Sequence, residues 1–231
     1  EDIAATETIA SKSGGLIVWD LSHATGVLDL QLNAHGAKLA TGCTYKFLNG
    51  GPGAPGFVYA RADVASQMRS PIAGWFGHTA PFAFDSKYRP LHGVGRFAAG
   101  TPSVLSLSAL DAALNAFDGV SMSDLAAKAR ALGDLVEMRA AALGLESISP
   151  ADSMKRGGHV SVRHAEGYAV TQSLIARGII PDFRAPDAIR FGVAPLYVRF
   201  VDIWDAMDAL ADILATRAWD QPEFMHRNAV T

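Results

Sequence analysis

The amino-acid sequence predicts an α/β fold built around a sheet that contains parallel strands. The first observation is a continuous apolar run, Leu16–Trp19, which has the length of a buried parallel strand. The second is that long stretches with helical spacing follow the strand-like runs, as in α/β proteins. The predicted strands cover residues 16–19, 34–43, 57–60, 158–163 and 189–193, and the predicted helices cover 102–117, 123–143, 166–177 and 200–219.

Local signals support these elements in chain order. Residues 7–12 have the composition of a helix end and are followed by Gly14 and Gly15, at a position where glycine is favoured. Residues 70–102 show no clear periodicity and are rich in Gly, Pro, Phe and His. A loop of that length inside a compact domain is usually functional.

Capping residues and apolar spacing define the later helices. Pro102 lies near a first turn, and the next helix opens with Ser123-Asp124 and ends at Gly144. Residues 158–163 alternate as a half-exposed strand does. The apolar positions are Val104, Leu105, Leu107, Leu110 and Leu114 in one helix, and Val201, Ile203, Trp204, Met207, Leu210, Ile213 and Leu214 in the last. A boundary is predicted near residue 100, which gives regions 1–100 and 101–231.

Composition excludes several classes of protein. The 231 residues are 49% hydrophobic, so a substantial core is expected and disorder is not. A net charge of −3 argues against nucleic acid as the main partner. No apolar run approaches the ~20 residues of a membrane span. The single cysteine, Cys43, predicts a reducing, cytoplasmic environment without internal disulfides.

Lys46 and Asp20 are the first candidate site residues. Each follows an apolar run, and Lys46 is followed by the glycine-rich turn 49–56. At the carboxyl ends of neighbouring parallel strands, two such side chains would face one crevice. Pyridoxal phosphate requires this pair, a lysine to carry it and a carboxylate for its pyridine nitrogen. The alternatives are a solvated lysine and, for Asp20 with His23, an ordinary turn.

The remaining motifs carry weaker signals. The glycine turn could cradle phosphate, but a tight turn is the simpler interpretation and no nucleotide-binding fingerprint is present. Arg190 could bind a carboxylate bidentately or be a surface charge. Cys43 is interpreted as a small buried hydrophobe. The histidines lack metal-binding spacing, so no metal site is predicted among His23, His35, His78 and His92.

A set of ordered motifs resembles the kynureninase family. Its enzymes depend on pyridoxal phosphate and have the aspartate aminotransferase fold, also called the type I fold of pyridoxal-phosphate-dependent transferases. The resemblance covers only the C-terminal part of the family: the end of the large domain and an α/β small domain. The chain begins with Glu1 and not with methionine, so an internal fragment or a processed product is expected. The motifs are residues 19–23, 42–53, 74–78, 82–90, 96–102, 156–161 and 189–197.

The resemblance implies a role for each matching residue. Lys46 is the expected Schiff-base lysine and Asp20 the expected partner of the pyridine nitrogen. His23 and Tyr45 would line the cofactor, with Tyr45 also a candidate acid or base in catalysis. The other matching positions are Trp75 and Thr101, expected at the phosphate from the second subunit of a homodimer, and Arg190, expected at the substrate carboxylate.

The implied reaction is hydrolysis of L-kynurenine, or its 3-hydroxy form, to anthranilate or 3-hydroxyanthranilate and L-alanine in tryptophan catabolism. The family's N-terminal half supplies an aromatic ring, a threonine and an aspartate that have no counterpart here, so a separate N-terminal chain is an expected partner. Two alternatives remain open. One is another type I enzyme, a desulfurase or an aminotransferase; the other is a non-catalytic half that assembles with an N-terminal partner.

Overall fold

A computed structural model describes residues 2–226, which divide into two compact units. The first unit comprises residues up to Gly26 and Leu30–Asp118, and the second comprises Val27–Asp29 and residues from Gly119 onward. The helix predicted over residues 102–117 lies in the first unit. The regions 1–100 and 101–231 remain a prediction about domain assignment.

The first unit is built on a three-stranded sheet in the order β1 (Val18–Asp20), β2 (Leu39–Cys43) and β3 (Gly56–Ala60). β1 and β2 are parallel, and β3 returns antiparallel to β2 after the glycine-rich turn. The central strand β2 is the best buried, with Leu39 and Ala40 almost inaccessible. The other elements are α1 (Ile3–Lys12), α2 (Ala62–Ala65) and α3 (Val104–Leu114), with 3₁₀ turns at Trp75–Gly77, Gly93–Phe97 and Asn115–Phe117.

The second unit combines the helices α4 (Met122–Ala142), α5 (Gly167–Ala176), α6 (Phe200–Thr216) and α7 (Pro222–Met225) with one antiparallel sheet. The strand order is β4 (Glu146–Ser147), β5 (His159–Arg163), β7 (Ala188–Gly192) and β6 (Asp182–Arg184). Its core joins the buried faces of α4, α5 and α6 to β5 and β7, through residues such as Leu132, Leu174, Ile189 and Met207.

The structure corrects several sequence expectations. β1 begins two residues later than the predicted strand, and Leu16 and Val18 are 53% and 61% exposed instead of buried. Residues 34–38 turn before β2 and do not extend it. β5 is largely buried and not half-exposed. On α6, Val201 and Trp204 are exposed although they were predicted on the apolar face, and the Arg139 guanidinium covers the Trp204 ring at 4.3 Å.

Candidate functional site

The carboxyl ends of β1 and β2 bring Asp20 and Lys46 towards one place. Asp20 is the last residue of β1 and pairs in register with Thr41 of β2. β2 ends at Cys43, and the chain then turns so that Lys46 follows only three residues later. Parallel pairing makes both strands end at the same edge of the sheet. The predicted convergence of these two residues therefore has a structural basis.

Lys46 contacts two of the other predicted residues. Its Nζ lies 3.2 Å from Nε2 of His23 and 5.3 Å from the centroid of the Tyr45 ring. The two nitrogens are within hydrogen-bonding distance, and which of them donates is set by the protonation of the His23 ring. Lys46 and His23 are half-buried, whereas 48% of Tyr45 is exposed. The amine is thus partly exposed, so a ligand can reach it.

Asp20 is held as an ionised carboxylate. The Ser22 hydroxyl and the Ser22 backbone N–H both donate to it, the backbone bond being 2.9 Å long. These hydrogen bonds, with help from the nearby charges of His23 and Lys46, hold the pKa of the Asp20 carboxyl below its ordinary value of 3.8 against a smaller opposing effect of burial. The effect of the Lys46 charge indicates that both side chains share one electrostatic environment.

The turn that carries Lys46 is fixed by hydrogen bonds within the first unit. The buried Thr44 hydroxyl donates to the Pro55 carbonyl at 2.6 Å, and the Gly50 N–H donates to the Thr44 carbonyl at 3.0 Å. Gly26 has φ +84°, and a Cβ there would lie 2.8 Å from the Phe47 carbonyl oxygen. Only glycine fits this approach. It lets the segment after β1, with His23, pack against the residue after Lys46.

Trp75 and Thr101 belong to a second local group. Gly74 approaches the backbone of Ala99 so closely that a Cβ would lie 1.5 Å from the Ala99 carbonyl oxygen. The Trp75 indole nitrogen lies 3.9 Å from the place where a Cβ of Gly100 would stand. The Trp75 ring meets Phe76 and Phe82 with centroids 5.1 and 5.8 Å apart. The indole N–H is thereby placed beside the backbone that leads into Thr101.

We expect Gly74→Ala to destabilise this junction, because backbone stands where the new methyl group would go. Overpacking of this kind costs about 1–3 kcal/mol. The measurement is the midpoint of urea unfolding. Gly192→Ala is the control, since nothing lies within 4 Å of a Cβ there. Equal midpoints for the two variants would contradict the close approach.

Arg190 lies in the second unit, on β7 between β5 and β6. Its guanidinium is ion-paired with Asp182, its partner in register on β6, and Arg184 Nε lies 3.2 Å from the same carboxylate oxygen. The side chain is 21% exposed, so Arg190 is not a free surface charge. A substrate carboxylate would bind to a guanidinium that already has a neighbouring anion.

Two arginines of the recognised motifs have structural partners. Arg96 is buried and donates to the carbonyls of Ser66 and Met68 at 3.0 and 2.7 Å. Arg156 is buried in the second unit, paired with Asp134 and, at 3.5 Å, with Glu137. Buried guanidinium groups need such partners. Arg96 therefore holds the backbone after α2, whereas Arg156 joins the segment before β5 to the carboxylates of α4.

Sequence reasoning missed Ser22, Gly26 and Thr44 as parts of the site. Ser22 stands two residues after the aspartate, the spacing of a local Asx turn, and this was the available signal. The close approach at Gly26 has no signal in the sequence, because its partner is more than twenty residues away.

Within residues 2–226, no group of three or more His, Cys, Asp or Glu side chains has a metal-binding arrangement. No helix in that range is long and apolar enough to cross a membrane.

Comparisons with known proteins show similarity to kynureninases. Residues 125–210 match the family model described as kynureninase C-terminal domain. The chain is 42% identical to a kynureninase of Pseudomonas fluorescens over 234 aligned positions, covering 100% of this chain and 56% of that protein. It is 44% identical to a kynureninase of Burkholderia mallei, covering 99% of this chain and 56% of that protein. The chain thus spans about half the length of the curated relatives it matches.

Solved structures confirm the fold class. A cysteine desulfurase of Escherichia coli superposes with a TM-score of 0.75 at 18% identity, covering 93% of this chain and 55% of that one. An aspartate aminotransferase of Thermus thermophilus superposes with a TM-score of 0.67 at 19% identity, covering 92% and 60%. The α/β, type I fold predicted from the sequence is therefore correct.

Proposed function

We propose that this chain, which resembles the C-terminal part of kynureninases along its whole length, forms the lysine-bearing part of a pyridoxal-phosphate enzyme that hydrolyses kynurenine. The observation that carries the proposal is the arrangement of Lys46 and Asp20. An amine in contact with His23 and an ionised carboxylate share the carboxyl edge of two parallel strands. The residues present therefore fit the cofactor.

The cofactor, when bound, supplies an electron sink that makes a bond at the substrate α-carbon breakable. Lys46 would carry the cofactor through Nζ and, once displaced by the substrate amine, move the α-proton. Asp20 would hold a proton on the pyridine nitrogen. His23 would keep Nζ oriented through the 3.2 Å contact.

Tyr45 and Arg190 complete the proposed catalytic set. Tyr45 stands next to Lys46 with a half-exposed ring, so its hydroxyl can assist proton transfer to or from the substrate. Arg190 would bind the α-carboxylate, and its planar fork would orient the Cα–H bond. Water then adds to the γ-carbonyl, and the Cβ–Cγ bond breaks to give anthranilate and L-alanine. The 3-hydroxy substrate would give 3-hydroxyanthranilate.

The assembly is also part of the proposal. The expected active form is a cytoplasmic homodimer in which Trp75 and Thr101 reach the phosphate of the partner's cofactor. The grouping of Trp75 with the segment before Thr101 supports a joint role for the two residues. Because the relatives are almost twice as long, we infer that the remaining part of a kynureninase polypeptide completes the site.

The test uses the chain purified together with the N-terminal part of a kynureninase. We expect a yellow protein that loses its colour on borohydride reduction, with cofactor mass fixed on the Lys46 peptide. Kynurenine should then give anthranilate fluorescence. Sulfide from cysteine, or transfer of an amino group to a keto acid, would favour a desulfurase or an aminotransferase. A colourless protein with unmodified Lys46 in excess cofactor would contradict the proposal.

A second candidate is a non-catalytic half that serves only for assembly. It is favoured by apolar side chains left exposed on the small sheet and on α3, which has no buried residue. Val18, Val58 and Leu105 are 61%, 52% and 87% exposed. Stable association with an N-terminal kynureninase part, without cofactor binding, would support this candidate.

A further inference from the structure

We propose that Asp182 is a positioning residue for substrate binding: it holds the Arg190 guanidinium ready for the substrate α-carboxylate. The inference rests on the proposed function, which assigns Arg190 to that carboxylate, and it adds the residue by which Arg190 is held. Asp182 itself makes no contact with the substrate in this role. Its effect reaches the substrate only through the Arg190 side chain.

Asp182 and Arg190 stand opposite each other on neighbouring strands. They are partners in register in the antiparallel pair of β6 and β7. Residues directly opposite in such a pair project from the same face of the sheet, with Cβ atoms about 4.5–5.5 Å apart. Ile189 and Phe191 are buried in the core, so Arg190 between them projects from the other face, where its side chain is 21% exposed. Strand register therefore brings the carboxylate within reach of the guanidinium.

The contact with Asp182 occupies only part of the guanidinium. Nη2 of Arg190 donates to Oδ2 of Asp182. A guanidinium has five N–H donors, so donors remain for a second carboxylate. On the other side of β7 the register partner of Arg190 is Ser161 of β5, whose side chain is short and carries no charge. Asp182 thus orients the planar fork and leaves part of it available to a ligand.

Arg184 keeps this group of side chains attractive to an anion. Its Nε lies 3.2 Å from Oδ2 of Asp182, the oxygen that also accepts from Arg190. Two guanidinium groups thus share one carboxylate, and one positive charge is left in excess. An incoming carboxylate is therefore still attracted, although Arg190 already has an anionic neighbour.

Holding Arg190 before the substrate arrives lowers the cost of binding. An arginine side chain has several rotatable bonds, and immobilising such a side chain on binding costs affinity. The contact with Asp182 restricts the guanidinium already in the free protein. An ion pair that is partly open to solvent adds little to stability. The main expected effect of this pair is therefore on carboxylate binding and not on folding.

The experiment compares Asp182→Ala with Asp182→Asn in the chain assembled with an N-terminal kynureninase part. Asparagine keeps an oxygen that can accept from Arg190, whereas alanine has none. Asp212→Ala is the matched control, because it breaks another ion pair of the second unit, the 2.8 Å contact with Arg177. The ligands are L-alanine, which carries the α-carboxylate, and ethylamine, which is L-alanine without its carboxylate. The absorbance of the cofactor reports the binding of both amines.

We expect Asp182→Ala to weaken L-alanine binding about fivefold, the size expected for ordering one long side chain, and to leave ethylamine binding unchanged. Asp182→Asn should recover most of the affinity for L-alanine, and Asp212→Ala should match the parent. In an Arg190→Ala background, Asp182→Ala should have no further effect, because Asp182 acts only through Arg190.

Unchanged or tighter L-alanine binding in Asp182→Ala would overturn the inference, and tighter binding in both Asp182 variants would mean that Asp182 competes with the substrate. Equal losses for L-alanine and ethylamine, or a loss that persists without Arg190, would mean general damage to the protein and would equally overturn it. Each of these results leaves a yellow parent that hydrolyses kynurenine. A parent that binds no cofactor would instead overturn the proposed function, and the positioning role with it.

Discussion

Replacing Lys46 with alanine should abolish kynurenine hydrolysis, with a loss in kcat of at least about 10³-fold. The amine has two roles in the proposed reaction, since it carries the cofactor and moves the α-proton. General acid–base catalysis alone contributes about 10²–10⁴-fold. The neighbouring nitrogen, Nε2 of His23, cannot replace a primary amine as the covalent anchor. The assay is anthranilate fluorescence in the protein assembled with an N-terminal kynureninase part.

Lys12→Ala is the matched control, because Lys12 is an exposed lysine at the end of α1. It should keep full activity, and borohydride should still fix the cofactor on its Lys46 peptide. In Lys46→Ala the same treatment should leave no cofactor mass on any lysine. The assignment would be wrong if this variant kept more than a few per cent of the activity, or if the label appeared on another lysine.

The structure also explains which parts of the fold were readable from the sequence. The long helices were found to within a few residues, because α4 has a helical apolar pattern and a glycine stop. Its cap is Ser121 and not the predicted Ser123, which lies inside the first turn. β3 was found because an apolar run follows the glycine turn. The short strands β4 and β6 were missed, since two- and three-residue strands produce no periodicity. β4 and β6 are strands because they pair with β5 and β7, and not because of a pattern in their own residues.

β1 shows why a run of apolar residues does not by itself predict burial. Leu16 and Val18 have the composition of a buried parallel strand, yet both are exposed at the edge of a three-stranded sheet. The apolar composition of this segment suits burial in the protein in which the sequence evolved. The curated relatives are almost twice as long as this chain. The prediction failed on exposure because burial depends on neighbours outside the segment itself.

The candidate site likewise has features that the sequence predicts and contacts that it cannot predict. Lys46 and Asp20 could be predicted because strand ends and residue types are local features, and the resemblance added Trp75, Thr101 and Arg190 to the prediction. The contact between Lys46 and His23, and the close approach of Gly26 to Phe47, depend on distant segments meeting in space. The ion pair between Arg190 and Asp182 depends on strand register, which the sequence of neither strand reveals.

Asp20→Asn should lower kcat by about 10²-fold or more while leaving the fold unchanged. Asparagine keeps an oxygen that accepts from the Ser22 N–H, so the Asx turn survives. The lost property is the negative charge, and with it the ability to keep a proton on the pyridine nitrogen. Preorganised charges at a reacting centre are worth about 10²–10³-fold when removed. Anthranilate fluorescence measures kcat, and the unfolding midpoint verifies the fold.

The pH dependence separates this role from that of an acid or base. The pKa of Asp20 lies below 3.8 because the Ser22 hydrogen bonds and the nearby positive charges favour the carboxylate. Asp20 is therefore ionised throughout the neutral range and loses its charge only as the pH falls through that lowered pKa. The ratio of parent to Asp20→Asn activity should consequently stay constant across neutral pH, with Asp118→Asn, an exposed aspartate, behaving like the parent. A ratio that changes with a midpoint near neutrality would mean that Asp20 transfers protons itself, and its assignment as a permanent charge beside the cofactor would have to be abandoned.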